Sequence, residues 1–231
     1  MNITYVFCSG FGFSKDYWSP LVDLLGASNV VYYQKGHILF TELERRSDIC
    51  IGVGHSFGFL ELNNSNIHFD FLIGLQGFLD FCGSNPRMRC VRENLLDKMI
   101  GNFEEDPKRA LEDFYRNCEY TPGASAVPAN NVDADTLIGD LKKLKQRYKH
   151  CGTPCFIIGT AHDKIVPASI IEDNFASISN VRISCVKNVS GHTLGYSAPE
   201  KVVEFINEAK DLCQESLCNK KDIFMSQIIA G

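Results

Sequence analysis

The chain has 231 residues, 45% hydrophobic and 22% charged, with 18 Gly and 8 Pro. That composition argues against a disordered or collagen-like chain, and the length suits one domain, or one core carrying an insertion, that needs no metal or disulfide staple. The net charge of −5 argues against sequence-independent nucleic-acid binding, and no apolar run reaches the roughly 20 residues a membrane helix needs.

The first candidate strand is the apolar run Ile3-Thr4-Tyr5-Val6-Phe7-Cys8, ending at Ser9-Gly10. It starts without the basic segment and cleavage site of a signal peptide, so a cytoplasmic protein is expected. A helix over residues 16–25 precedes a second strand, Val30-Val31-Tyr32-Tyr33, and the third runs from Asp48 to Val53. A helix from Phe57 to Asn63 leads to a fourth strand, Phe69 to Leu75. Two more strands follow at residues 154–159 and 181–186, and a helix at residues 198–212. Continuous apolar strands separated by helices imply a parallel sheet covered on both faces, an α/β class of protein.

One stretch breaks the alternation. Residues 84–149 contain no convincing strand, while residues 92–100, 107–118 and 136–148 have helical spacing of apolar residues. A helical insertion after the fourth apolar strand is therefore expected, with residues 1–83 and 150–231 forming the core. The insertion carries twelve basic against eleven acidic residues, and the rest of the chain eleven against seventeen. The insertion is thus the face less hostile to an acidic partner. The ten cysteines contain no CxxC pair, so free thiols are expected, with no metal site and no cofactor.

Gly54-His55-Ser56-Phe57-Gly58 is a G-x-S-x-G pentapeptide between a predicted strand and a predicted helix. That context marks a nucleophile elbow: a strained turn holds the serine hydroxyl up, and small neighbours let the turn close. A serine needs a base. His192 in Ser190-Gly191-His192-Thr193 follows the last strand, and Asp163 follows the strand before it. The order Ser56, Asp163, His192 is a nucleophile, an orienting acid and a base, each at the carboxyl end of a strand. Asp80 is a rival acid, and His37, His55, His68, His150 and His162 are rival bases. Two backbone N–H groups should stabilise the oxyanion, one from Phe57 and one from Phe11 in the loop Ser9-Gly10-Phe11-Gly12-Phe13.

The loop Phe7 to Gly12 with Trp18, the Gly54–Gly58 elbow, Asp163-Lys164-Ile165-Val166-Pro167 and Gly191-His192 followed by Ala198-Pro199-Glu200 together resemble the α/β-hydrolase superfamily. The compact size, the helical cap and the segment from Asp106 to Phe114 are similar to the pimeloyl-acyl-carrier-protein methyl ester esterases of biotin synthesis. The resemblance implies an α/β-hydrolase fold with residues 84–149 as cap. It also implies a catalytic set of Ser56, His192 and Asp163, and an oxyanion hole from Phe11 and Phe57. The substrate would be the methyl ester of a pimeloyl chain on an acyl-carrier protein, with Lys108, Arg109 and Arg116 meeting that acidic partner. No nucleic acid, membrane or cofactor is implied, and the chain is expected to be a monomer. The family's His-Gly after the first strand is Ser9-Gly10 here, Asp113 stands where a further cation would help docking, and residues 26–47 are short for the fold. The rival readings are a small-molecule carboxylesterase, thioesterase or C–C bond hydrolase, and a non-catalytic receptor on the same scaffold.

Overall fold

A computed structural model describes residues 2–34, 37–43, 48–121 and 133–213. Its strands are β1 (Ile3–Cys8), β2 (Asn29–Gln34), β3 (His37–Leu43), β4 (Ile49–His55), β5 (Phe71–Leu75), β6 (Cys155–His162) and β7 (Val181–Ser190). They form one sheet in the order β3-β2-β1-β4-β5-β6-β7. Every neighbouring pair is parallel except β2 and β3. The central strands are the continuously apolar ones, and β5 is buried at all five positions, as a sheet covered on both faces requires.

The helices are α1 (Ser19–Leu25), which follows a 3-10 turn at Lys15–Trp18, α2 (Phe57–Asn63), α3 (Pro86–Glu105), α4 (Pro107–Asn117), α5 (Ala134–Lys143), α6 (Ala168–Phe175) and α7 (Leu194–Ser197). A last helix, α8, covers residues 199–213. Helices α3, α4 and α5 lie between β5 and β6, and each starts on a side-chain cap. Asn85 Oδ1 accepts from the N–H of Arg87 and Met88, Asp106 from Arg109 and Asp133 from Thr136. Pro86 and Pro107 occupy first helical positions, where a missing N–H costs nothing.

The structure corrects the expected layout in two places. Strand β3 lies in the stretch that looked too short to hold a further element, so the insertion follows the fifth strand of the chain, not the fourth. The helix expected over residues 16–25 is divided into the 3-10 turn and α1. Residues 122–132, between α4 and α5, lie outside the described residues. Among the described residues no helix is long and apolar enough to cross a membrane.

Helix α2 lies unusually close to the sheet. Phe59 on it is fully buried. A methyl group placed on Gly74 or Gly77 would come within 2.9 Å or 2.8 Å of its ring. The glycines of β5 and the turn after it therefore form a slot for one phenyl ring, which also meets Phe175 of α6 edge-on at 5.8 Å. Phe59→Ala should cost about 3–5 kcal/mol of stability, read as a lower urea midpoint at unchanged slope. A loss below about 1 kcal/mol would contradict this packing.

Candidate active site

The turn from β4 into α2 places Ser56 at φ 53°, ψ −120°, a conformation that costs a non-glycine residue on the order of 1–3 kcal/mol. The neighbours that enforce it are Gly54 and Gly58. A Cβ on Gly54 would lie 2.4 Å from Cα of Phe59, and one on Gly58 would lie 2.1 Å from the carbonyl oxygen of Cys8. Both contacts are to backbone, so neither can be relieved by a rotamer change. The turn is pinned further by the Ser56 N–H, which donates to the Leu75 carbonyl at 2.8 Å.

His192 and Asp163 meet on the same side of the sheet. The His192 Nδ1 lies 2.7 Å from Asp163 Oδ2, with both side chains buried. A carboxylate accepts only, so Nδ1 carries the proton and Nε2 presents a lone pair. That Nε2 is buried and makes no hydrogen bond, so the Ser56 hydroxyl is not bonded to it in this structure. Asp163 is itself fixed, its Oδ1 accepting from the N–H of Ile165 at 2.7 Å and Val166 at 2.9 Å.

The loop carrying His192 is held by its carbonyls. Gln76 Nε2 and Thr160 Oγ1 both donate to the Gly191 carbonyl, at 2.9 and 2.8 Å. His55 Nε2 donates to the His192 carbonyl at 2.7 Å, and the His192 N–H donates to the carbonyl of Cys118 at 2.9 Å. Burial, and then the neighbouring His192, holds His55 well below its ordinary pKa, so it remains neutral. Its ring stacks on Tyr17 at 4.5 Å. His55 is therefore a positioning residue rather than a rival base.

Phe57 is the first residue of α2, so its N–H has no partner within the helix. Phe11, Ser56 and Phe57 all line one cavity. The Phe11 loop is fixed by Ser9, whose hydroxyl accepts from Trp18 Nε1 at 2.9 Å and donates to the Ser14 carbonyl at 2.9 Å. Ser9 thus holds the loop by two bonds of its own. Tyr115 of α4 also donates to the Gly12 carbonyl, and Phe114 of α4 meets the Phe11 ring edge-on at 5.1 Å.

The cavity has a volume of about 550 Å³ and lies between the sheet's carboxyl edge and the insertion. Its lining is mostly apolar, with Phe78 and Phe81 from the core side and Met88, Val91, Leu95 and Met99 from α3. Of the three cations expected to meet a carrier protein, Arg116 lines this cavity and pairs with Asp113 at 2.9 Å. Arg109 lies in a separate surface groove with Glu105, Asp106 and Asp113. Lys108 is exposed.

The rivals are placed elsewhere. Asp80 pairs with Arg89 and with Arg147, the latter at 2.8 Å, and accepts from the N–H of Cys82 and Gly83. It ties the insertion to the core. His68 and His162 are exposed, and His150 contacts Cys155. The side chain of His37 lies outside the described residues. Among the described residues no group of three or more His, Cys, Asp or Glu is placed to hold a metal ion. The sequence does not mark Gln76 or Thr160, shows Ser9 only as a substituted position, and leaves His55 as one of five rival bases to His192.

No protein-family model and no curated protein matches the chain. Solved structures do match it along most of its length. An esterase (EaEST) from Exiguobacterium antarcticum superposes with TM-score 0.68 at 13% identity, covering 90% of this chain and 91% of that one. The enol-lactonase from Burkholderia xenovorans LB400 gives 0.64 at 14% identity, covering 90% and 92%. MenH from S. aureus gives 0.61 at 13% identity, covering 90% and 94%. These likenesses, with the sheet order and the elbow, show the α/β-hydrolase fold.

Two glycine substitutions separate elbow packing from ordinary helix propensity. Gly58→Ala should destabilise by about 3 kcal/mol, the upper part of the overpacking range, because the obstacle is a backbone carbonyl. Gly101→Ala, in α3 with nothing within 4 Å of the added carbon, should stabilise by about 0.5–1 kcal/mol. Thermal unfolding of the two variants reads the difference. Equal effects would contradict the close approach of α2 to β1.

Proposed function

We propose that the protein is a serine hydrolase of carboxylic esters that works by two-step acyl transfer. The observation that carries this reading is the buried Asp163–His192 pair, whose Nε2 has no hydrogen-bond partner among the described residues, together with a strained Ser56 that lines an apolar cavity. Ser56 Oγ attacks the ester carbonyl while His192 Nε2 takes its proton, which requires the hydroxyl to turn onto Nε2 when substrate is bound. The oxyanion accepts from the N–H groups of Phe11 and Phe57. The C–O bond to the alcohol breaks, and the alcohol leaves with the proton from His192. Water then attacks the acyl-enzyme by the same route and releases the acid. Asp163 keeps the imidazole in the tautomer this needs.

The finer reading is hydrolysis of the methyl ester of pimeloyl-acyl-carrier protein in biotin biosynthesis. It is supported by the family resemblance and by an apolar cavity of a size suited to a short acyl chain. A general esterase acting on small free esters is favoured by a different observation. Arg109 and Arg116 share their surroundings with Glu105, Asp106 and Asp113, so the face that would meet an acidic carrier is not strongly basic.

Turnover of pimeloyl-carrier methyl ester, measured beside p-nitrophenyl esters of graded length, tests both levels. Ser56→Ala should lower kcat on the order of 10⁶-fold, as removal of the nucleophile does in serine proteases. Undiminished turnover in that variant would refute the assignment. Lys108→Glu with Arg109→Glu should weaken turnover of the carrier ester and spare short free esters. Equal effects on both would rule out docking through these cations.

A further inference from the structure

Arg92 stands out among the cations around the cavity. Arg116 and Lys164 also line it, but each is paired, with Asp113 and Glu119 respectively, both at 2.9 Å. Lys98 is exposed to solvent. One turn before Arg92 on the same helix, Arg89 pairs with Asp80 and Glu93. Arg92 is half-buried, and among the described residues no carboxylate lies within ion-pair distance of it. Its Nε is buried without a hydrogen-bond partner. Its anchors are the Phe81 ring, 5.3 Å from the guanidinium carbon, and the Phe81 carbonyl, which accepts from Nη1 at 3.4 Å.

A partly desolvated guanidinium without an ion-pair partner is costly, and the Asp163 carboxylate acts on Arg92 only from beyond ion-pair distance. Burial accordingly draws the pKa of Arg92 below its ordinary value. The Phe81 contacts orient the planar head and occupy one side of it. The guanidinium is a planar fork of donors that a carboxylate matches with both its oxygens, and among the described residues Nε and Nη2 make no hydrogen bond. The rest of the α3 lining is hydrocarbon apart from Lys98 and Asn102, with Met88, Val91 and Leu95 presented on one stripe.

We propose that Arg92 receives a carboxylate at the far end of the substrate, so that the preferred substrates are half-esters of dicarboxylic acids: an ester at Ser56, an apolar chain in the cavity and an anionic end on Arg92. This rests on the serine-esterase reading and deepens it, by naming the substrate class and a specificity-determining residue. It does not depend on a carrier protein.

The test uses monomethyl esters of a series of linear dicarboxylic acids and, beside each, the neutral dimethyl ester. The wild-type protein should favour the half-ester by tenfold or more in kcat/KM at one optimal chain length. In Arg92→Met that ratio should collapse by at least tenfold, chiefly through KM, and Arg92→Lys should fall between. Reading a ratio within each variant removes any common loss from impaired folding. A wild-type ratio near one at every length, or a ratio unchanged in Arg92→Met, would overturn the proposal. Calorimetric binding of the free dicarboxylate to Ser56→Ala, with and without Arg92→Met, separates the two levels. Dicarboxylate binding that depends on Arg92, without turnover of any ester, would support the anion site and refute the esterase reading. Ester turnover that depends on Ser56, with dicarboxylate binding indifferent to Arg92, would do the reverse.

Discussion

The contact on which the site depends is backbone against backbone. Helix α2 approaches the sheet so closely that Gly58 rests on the carbonyl of Cys8 and Gly54 on Cα of Phe59. Any side chain at either position would push the helix away and relax the turn at Ser56. The Phe59 slot, formed by Gly74 and Gly77, drives the helix down with the burial of a large ring. Hydrophobic packing thus offsets a backbone strain on the order of 1–3 kcal/mol at one residue. That residue carries the hydroxyl proposed as nucleophile.

The opposing half of the site is built differently. His192 sits on a loop with Gly191 at φ 84°, and its position is set by donors on three separate elements. Gln76 after β5, Thr160 on β6 and His55 on β4 each reach a carbonyl of the loop, while Cys118 at the end of α4 accepts from it. The insertion therefore contributes to the geometry of the proposed site as well as lining the cavity. Through Tyr115 and Phe114 it also grips the loop that bears Phe11. A movement of α4 would be felt at both His192 and the loop that bears Phe11.

The parts legible in the sequence were those written locally. The strand, the G-x-S-x-G turn and α2 are contiguous, and the limits of α2, Phe57–Asn63, agree with the sequence reading. Asp163 and His192 were legible because each follows an apolar strand by a few residues. Strand β3 was not, because only Ile38-Leu39-Phe40 of its seven residues form an apolar run, broken by Thr41 and Glu42, as suits an antiparallel strand at the sheet's edge. Its signal was Ile38-Leu39-Phe40 after Gly36, a turn residue before a β-rich run. Gln76, Thr160 and His55 act on partners 115, 31 and 137 residues away, and no spacing rule reaches that far. Ser9 was read as a departure from a family pattern, although its hydroxyl makes the bonds that hold the loop.

The most direct measurement of the central claim is covalent labelling with a fluorophosphonate, followed by intact mass and peptide mapping. The Ser56 oxygen would displace fluoride at phosphorus, with His192 taking the proton. The account predicts one adduct per chain, on the peptide containing Ser56, and labelling slowed by at least a hundredfold in His192→Ala. Labelling on another residue, or none at all in folded protein, would contradict it.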